Sequence, residues 1–68
     1  MKEIIFLVED TPEGGFTARS LGDFCYTDAD TVAELHNNVR DAVARHFDES
    51  EKPSVIRLHF VHDEVISA

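Results

Sequence analysis

The chain has little with which to staple itself together. One cysteine, Cys25, stands among 68 residues, so no internal disulfide can form. Tryptophan is absent, and there are two prolines and three glycines, too few for a loop-rich or low-complexity chain. Basic residues are the scarcest of the charged types. Six Lys and Arg face fourteen Asp and Glu, for a formal net charge of −8. A phosphate-binding surface needs Lys and Arg gathered on one face, and no segment gathers them, so direct nucleic-acid binding is not expected. Long apolar runs are missing too. The longest, Ile4 to Val8, falls far short of the roughly 18 residues of a membrane span. Glu9 and Asp10 close it too early for a signal peptide. These absences predict a single domain over residues 1–68, cytoplasmic and away from the membrane.

What remains is 43% hydrophobic and 29% charged, the balance of a globular domain. A chain of this length buries only about 60% of its unfolded surface. Without disulfides or a visible metal motif, self-association is a natural source of further stability, and a dimer or tetramer is expected.

The hydrophobic pattern begins with period 2. Residues 2–9, KEIIFLVE, read as a strand with Ile4, Phe6 and Val8 on one face and Ile5 and Leu7 on the other. Apolar residues on both faces predict a central strand, covered on both sides. Asp10 to Gly15 carries Pro12 and a Gly pair, which mark a turn. Residues 15–20, GFTARS, alternate again and form a hairpin with the first strand. After a break at Leu21-Gly22-Asp23, Phe24 to Thr27 forms a short third strand. From there the period becomes 3.6. Val32, Leu35, Val39, Ala42, Val43, His46 and Phe47 define one face of a helix, opposite Glu34, Asn38, Asp41 and Arg45. Thr31 and Glu34 have capping-box spacing, with Asp28 and Asp30 near the positive end of the helix dipole. The helix should stop within Asp48 to Lys52, before Pro53. Residues 54–62 alternate once more, with Ile56, Leu58 and Phe60 against Arg57, His59 and Val61. The expected fold is α+β in the order β-β-β-α-β: a three-stranded antiparallel meander, a fourth strand, and one helix on one face of the sheet. The helix can cover only one face. Ile5, Leu7 and Val61 are left on the other, as a candidate self-association face.

Chemistry is hard to place on this frame. His59 and His62 project to opposite faces of a strand, and His36 and His46 stand roughly 80° apart around the helix, so neither pair forms a metal clamp. Cys25 has no glycine turn or orienting carboxylate beside it and reads as a packed thiol. Gly14-Gly15 precedes a strand, not a helix, and so cradles no phosphate. No cofactor is expected. The carboxylates leave a metal-dependent nuclease as a minor alternative. Its mark would be Mg²⁺-dependent cleavage lost when Asp10 and Glu9 become Asn and Gln. The meander, helix and strand are partially RNase H-like, but no acid occupies the middle of the first strand, where such a site begins.

Taken together, VED-TPEGGFTARS at the first hairpin, DFCYTDADTVAELHNNVRDAVARHF through the helix, and the last hydrophobic strand resemble the HicB-like antitoxin family. Glu9, Asp10, Gly14, Gly15 and Phe16 match its hairpin; Thr31, Glu34, Asn38 and Arg40 match its helix. The similarity extends over residues 3–62. Leu21-Gly22-Asp23-Phe24-Cys25 replaces the family's Leu-Pro-Gly-Cys turn. Antitoxins of this type carry a C-terminal DNA-binding module, and the expectation here is a short form without one. The resemblance implies a small non-catalytic inhibitor that binds a basic, RNA-cleaving HicA-type toxin. Asp10, Glu13, Asp23, Tyr26, Asp28 and Asp30 are the candidate partner face, with Tyr26 as an amphipathic anchor; Asp28 and Asp30 also suit helix capping. The alternative is a solitary self-associating module with no toxin, whose acidity serves solubility.

Overall fold

The computed structural model describes residues 2–22 and 25–68. Strand β1 (Glu3–Asp10), strand β2 (Phe16–Ser20), strand β3 (Tyr26–Ala29), helix α1 (Val32–His46) and strand β4 (Val55–Val61) follow in the expected order. They build one sheet with the spatial order β3-β2-β1-β4. The first three strands form the antiparallel meander, with Leu7 opposite Arg19 and Ala18 opposite Thr27. β4 lies parallel to β1 in the register Ile4–Ile56, Phe6–Leu58, Val8–Phe60. Parallel neighbours need a crossover, and α1 supplies it by carrying the chain from one edge of the sheet to the other.

The turn into β2 is closed by Thr11. Its amide donates to the Gly15 carbonyl at 2.9 Å, and its Oγ1 accepts from the Gly15 amide at 2.9 Å. Gly14 takes φ +92, a conformation that side chains oppose. Gly15 is required for a different reason: a Cβ there would stand 2.8 Å from the Ala29 carbonyl oxygen on β3.

The third strand begins two residues later than its hydrophobic letters suggest. Cys25 belongs to the turn: its carbonyl accepts from the Ser20 amide at 3.0 Å, and its own amide donates to Ser20 Oγ at 3.1 Å. Pairing with β2 then carries Asp28 and Ala29 into the strand, since cross-strand register outweighs the poor strand propensity of Asp. Phe24, read as the strand's first residue, lies outside the described residues. The Cys25 thiol is buried, as a packed residue should be.

Thr31 caps α1, its Oγ1 accepting from the Glu34 amide at 3.1 Å. The helix ends at His46 and is closed by the Phe47 amide donating to the Val43 carbonyl at 3.1 Å. Its buried stripe is Leu35, Val39 and Val43, narrower than the periodicity implies. Val32 and His46, in its first and last turns, are exposed. Asn38, read as a solvent-face residue, donates from Nδ2 to the Asp28 carbonyl at 2.8 Å and ties the helix to β3. The stripe closes a core of Ile4, Phe6, Val8, Ala18, Cys25 and Ala29, with Phe16, Phe47, Ile56 and Leu58 packed at its margin. β1 is central as expected, but only its Ile4–Phe6–Val8 face is fully covered; Ile5 and Leu7 are half-buried.

Gly15→Ala should lower stability by about 1–3 kcal/mol in urea unfolding, the usual cost of forcing an extra carbon into a packed site. It should also shift the amide resonances of β3. Gly14→Ala, with nothing within 4 Å of the added carbon, should strain the turn and leave β3 unmoved.

Candidate functional site

Strand alternation and register decide what the uncovered face of the sheet presents. With Ile4, Phe6 and Val8 under the helix, Glu3, Ile5, Leu7 and Glu9 project to the other side. Reading across the strands, Tyr26, Arg19, Leu7 and His59 form one row, and Asp28, Thr17, Glu9 and Val61 the next. Ile5 lies beside Arg57. Ile5, Leu7 and Val61 thus do share a face, each half-buried, but every one has a charged or histidine neighbour across the strand. That face is mosaic, not apolar.

At one end of the sheet the acids converge. β1 and β4 finish there, the β1–β2 turn lies there, and β3 runs there into the helix. Glu9 and Asp28 stand two strands apart in one row, roughly 10 Å by ordinary strand spacing. Asp10 ends β1, Glu13 is exposed in the turn, and Asp30 Oδ1 lies beside Gly15. His62 Nδ1 meets Asp10 Oδ2 at 2.9 Å. Among the described residues, the Lys and Arg ion pairs lie elsewhere: Lys2–Glu51, Arg45–Asp41 and Arg57–Glu3. Four of the six candidate partner residues, Asp10, Glu13, Asp28 and Asp30, therefore lie at this end, Asp10 in the helix-side row with Phe16 and Asp28 on the open face. Tyr26 is exposed on the open face two residues before Asp28, beside Arg19. Asp23 lies outside the described residues. Glu9, absent from that set, completes the cluster; its alternation in β1 with Leu7 on the open face was the available signal.

At the opposite end, Arg57 grips Glu3 with two hydrogen bonds, Nε to Oε1 at 2.9 Å and Nη2 to Oε2 at 3.2 Å. These bonds hold the Glu3 carboxyl below the ordinary glutamate value of 4.5, aided by the guanidinium charge and opposed by desolvation.

The histidines do not converge. His59 is on the open face, His62 is with Asp10, His46 makes an edge contact with Phe47 at 4.8 Å, and His36 is on the helix flank. Among the described residues no three His, Cys, Asp or Glu side chains are grouped to hold a metal ion.

A second surface escaped the sequence reading. α1 runs nearest β3 and β2 and leaves the helix-side face of β4 open. Between them is a groove of about 610 Å³, floored by Ile56, Leu58 and Phe60 and walled by Val39 and Pro53, with His36, Arg40 and Lys52 at its rim.

Removing the guanidinium by Arg57→Gln should raise the Glu3 pKa towards 4.5, read by NMR titration of its side-chain resonances. Because the folded value is depressed, the pair stabilises above the unfolded pKa. That contribution fades as pH falls through the folded value, and in Arg57→Gln the fading should vanish.

Two relatives place the chain. A UPF0150 protein of Archaeoglobus fulgidus is 48% identical over 52 residues, covering 76% of this chain and 77% of the relative. A UPF0150 protein of Thermotoga maritima is 35% identical over 66 residues, covering 97% and 93%. No protein-family model matches the chain, and no solved structure matches it. The chain belongs to the UPF0150 family.

Proposed function

We propose that this UPF0150-family protein is a non-catalytic protein-binding module that acts like the inhibitory domain of HicB-type antitoxins, neutralising a small basic RNA-cleaving toxin. One observation carries the reading. The topology brings Glu9, Asp10, Glu13, Asp28 and Asp30 to one end of the sheet, where no Lys or Arg ion pair lies among the described residues. A toxin that grips RNA phosphates offers a basic surface, and carboxylates spaced across two strands can occupy it in place of RNA. Opposite fields also speed the encounter, which suits an inhibitor that must act before the toxin does. The resemblance of the hairpin and helix residues to HicB-like proteins supports the same partner class.

The test is a titration of the purified protein against a small basic HicA-type toxin, with RNA cleavage as a second readout. Stoichiometric binding, weakening steeply with salt, should accompany loss of RNA cleavage. Glu9→Lys with Asp28→Lys should weaken binding by about 100-fold, roughly tenfold for each reversed charge. Binding unaltered by both reversals would refute the acidic end as the contact.

A further inference from the structure

The groove beside β4 and the segment that follows β4 are complementary, yet one chain cannot easily join them. β4 forms an edge of the sheet: its inner side pairs with β1 along its length, and no described strand lies beyond it. Edge strands are ordinarily shortened, bulged or guarded by proline and charge. β4 has seven residues and no Pro or Gly, and its Arg57 is committed to Glu3. On its helix side Ile56 and Leu58 are half-buried, and Phe60 is 48% exposed. The rim above them holds Arg40 and Lys52, two of only six Lys and Arg in an acidic chain.

Residues 62–68, HDEVISA, have the opposite character. They form no helix or strand, and two acids, Asp63 and Glu64, precede Val65 and Ile66, which are 93% and 80% exposed. Folding this segment back onto its own β4 would need a tight reversal, and Val61 to Ala68 contains no Gly, Asn or Pro to make one. The dimensions agree. The molecule is 51 Å long and about 20 Å across, while β4 and the segment laid end to end span about 46 Å at 3.3 Å per residue. A segment that continues outward along the line of β4 accounts for that length, its start fixed by the His62–Asp10 contact.

We infer that the occupant of the groove's open edge is residues 62–68 of a second copy of this chain, exchanged reciprocally across a two-fold axis. Each β4 with its following segment pairs antiparallel with that of the other copy, and the two four-stranded sheets become one of eight strands. An axis perpendicular to the sheet near residues 61–62 keeps even-numbered residues of both copies on the helix side. Ile66 of one copy then meets Ile56 or Leu58 of the other, and Glu64 falls beside Leu58 or Phe60. α1 runs opposite to β4, so His36 and Arg40 follow one another along the rim from the Phe60 end. Glu64 is thus presented to cations and Ile66 to an apolar floor, while Val65 turns to the other face beside Arg57 or His59. This exchange uses the sheet edge and the groove, and it shares with the acidic end only the His62–Asp10 contact.

Equilibrium sedimentation of the full chain over a concentration series tests it. The expected result is a dimer whose dissociation constant rises at least 100-fold in Ile66→Asp. Ile66 is solvent-exposed in the single chain, so that variant should keep the far-ultraviolet circular dichroism and amide spectrum of the fold. Arg19→Glu, in the middle of the open face, should leave the dimer intact. Hydrogen exchange should show alternate amides of residues 63–67, those facing the partner's β4, protected in the dimer and unprotected in Ile66→Asp. A monomer at all concentrations would overturn the inference. So would a dimer that survives Ile66→Asp, or one broken by Arg19→Glu, which would place the interface on the Ile5–Leu7 face.

Discussion

The parallel pairing of β1 with β4 is the constraint on which the rest of the structure depends. β1 carries its apolar run on both faces, Ile4, Phe6 and Val8 against Ile5 and Leu7, and it sits inside the sheet, with β2 on one side and β4 on the other. The hairpin settles β2 locally. β4 arrives from 45 residues further along the chain, and its direction forces the connection to cross the sheet as a helix. Once the helix starts from Thr31, directly after β3, it lies over the β3–β2 side. β4 is left uncovered at the far edge. The groove and the acidic end follow from this one placement, because the parallel direction of β4 also brings His62 and its followers to the end where Asp10, Glu13 and Asp30 already lie.

Element identity was legible in the sequence for physical reasons that can be named. Alternation in β1 and β4 and the 3.6 period of α1 survive in the structure, because each records a face that must leave water. Thr31 could be read as the cap since its spacing to Glu34 is local. The boundary of β3 was not legible. Cys25 looks like a strand residue and Asp28 like a loop residue, and only pairing with β2 reverses both. Asn38 is the same case: its polarity suits water, but the Asp28 carbonyl stands within reach only after the sheet and helix have met.

The acidic surface was half legible. Residues distant in sequence can be gathered only once strand directions are known, and Glu9 joins Tyr26 and Asp28 on the open face only through the pairing of β1, β2 and β3. The mosaic character of the open face also depends on register. Ile5, Leu7 and Val61 appear as an apolar set when each strand is read alone. Arg19, Arg57 and His59 enter beside them only through pairing.

The groove could have been anticipated by geometry. A helix is about 10 Å across, while the outer strands of a four-stranded sheet lie roughly 14 Å apart, so one helix covers two strands well and cannot cover four. Only Leu35, Val39 and Val43 are fully buried from α1, and they are already spent on Phe6, Val8, Ala18 and their neighbours. Ile56, Leu58 and Phe60 therefore face a helix that lacks the width to meet them. Phe60 finds partial shelter in an edge contact with Phe16 at 6.3 Å and remains largely open. Among the described residues no second helix completes the layer. The apolar surface that its own helix leaves uncovered is then best covered by a segment that is itself apolar, unpaired and close to the same edge. The segment that carries Ile66 meets that description in a second copy, where no reversal of the chain is needed to deliver it.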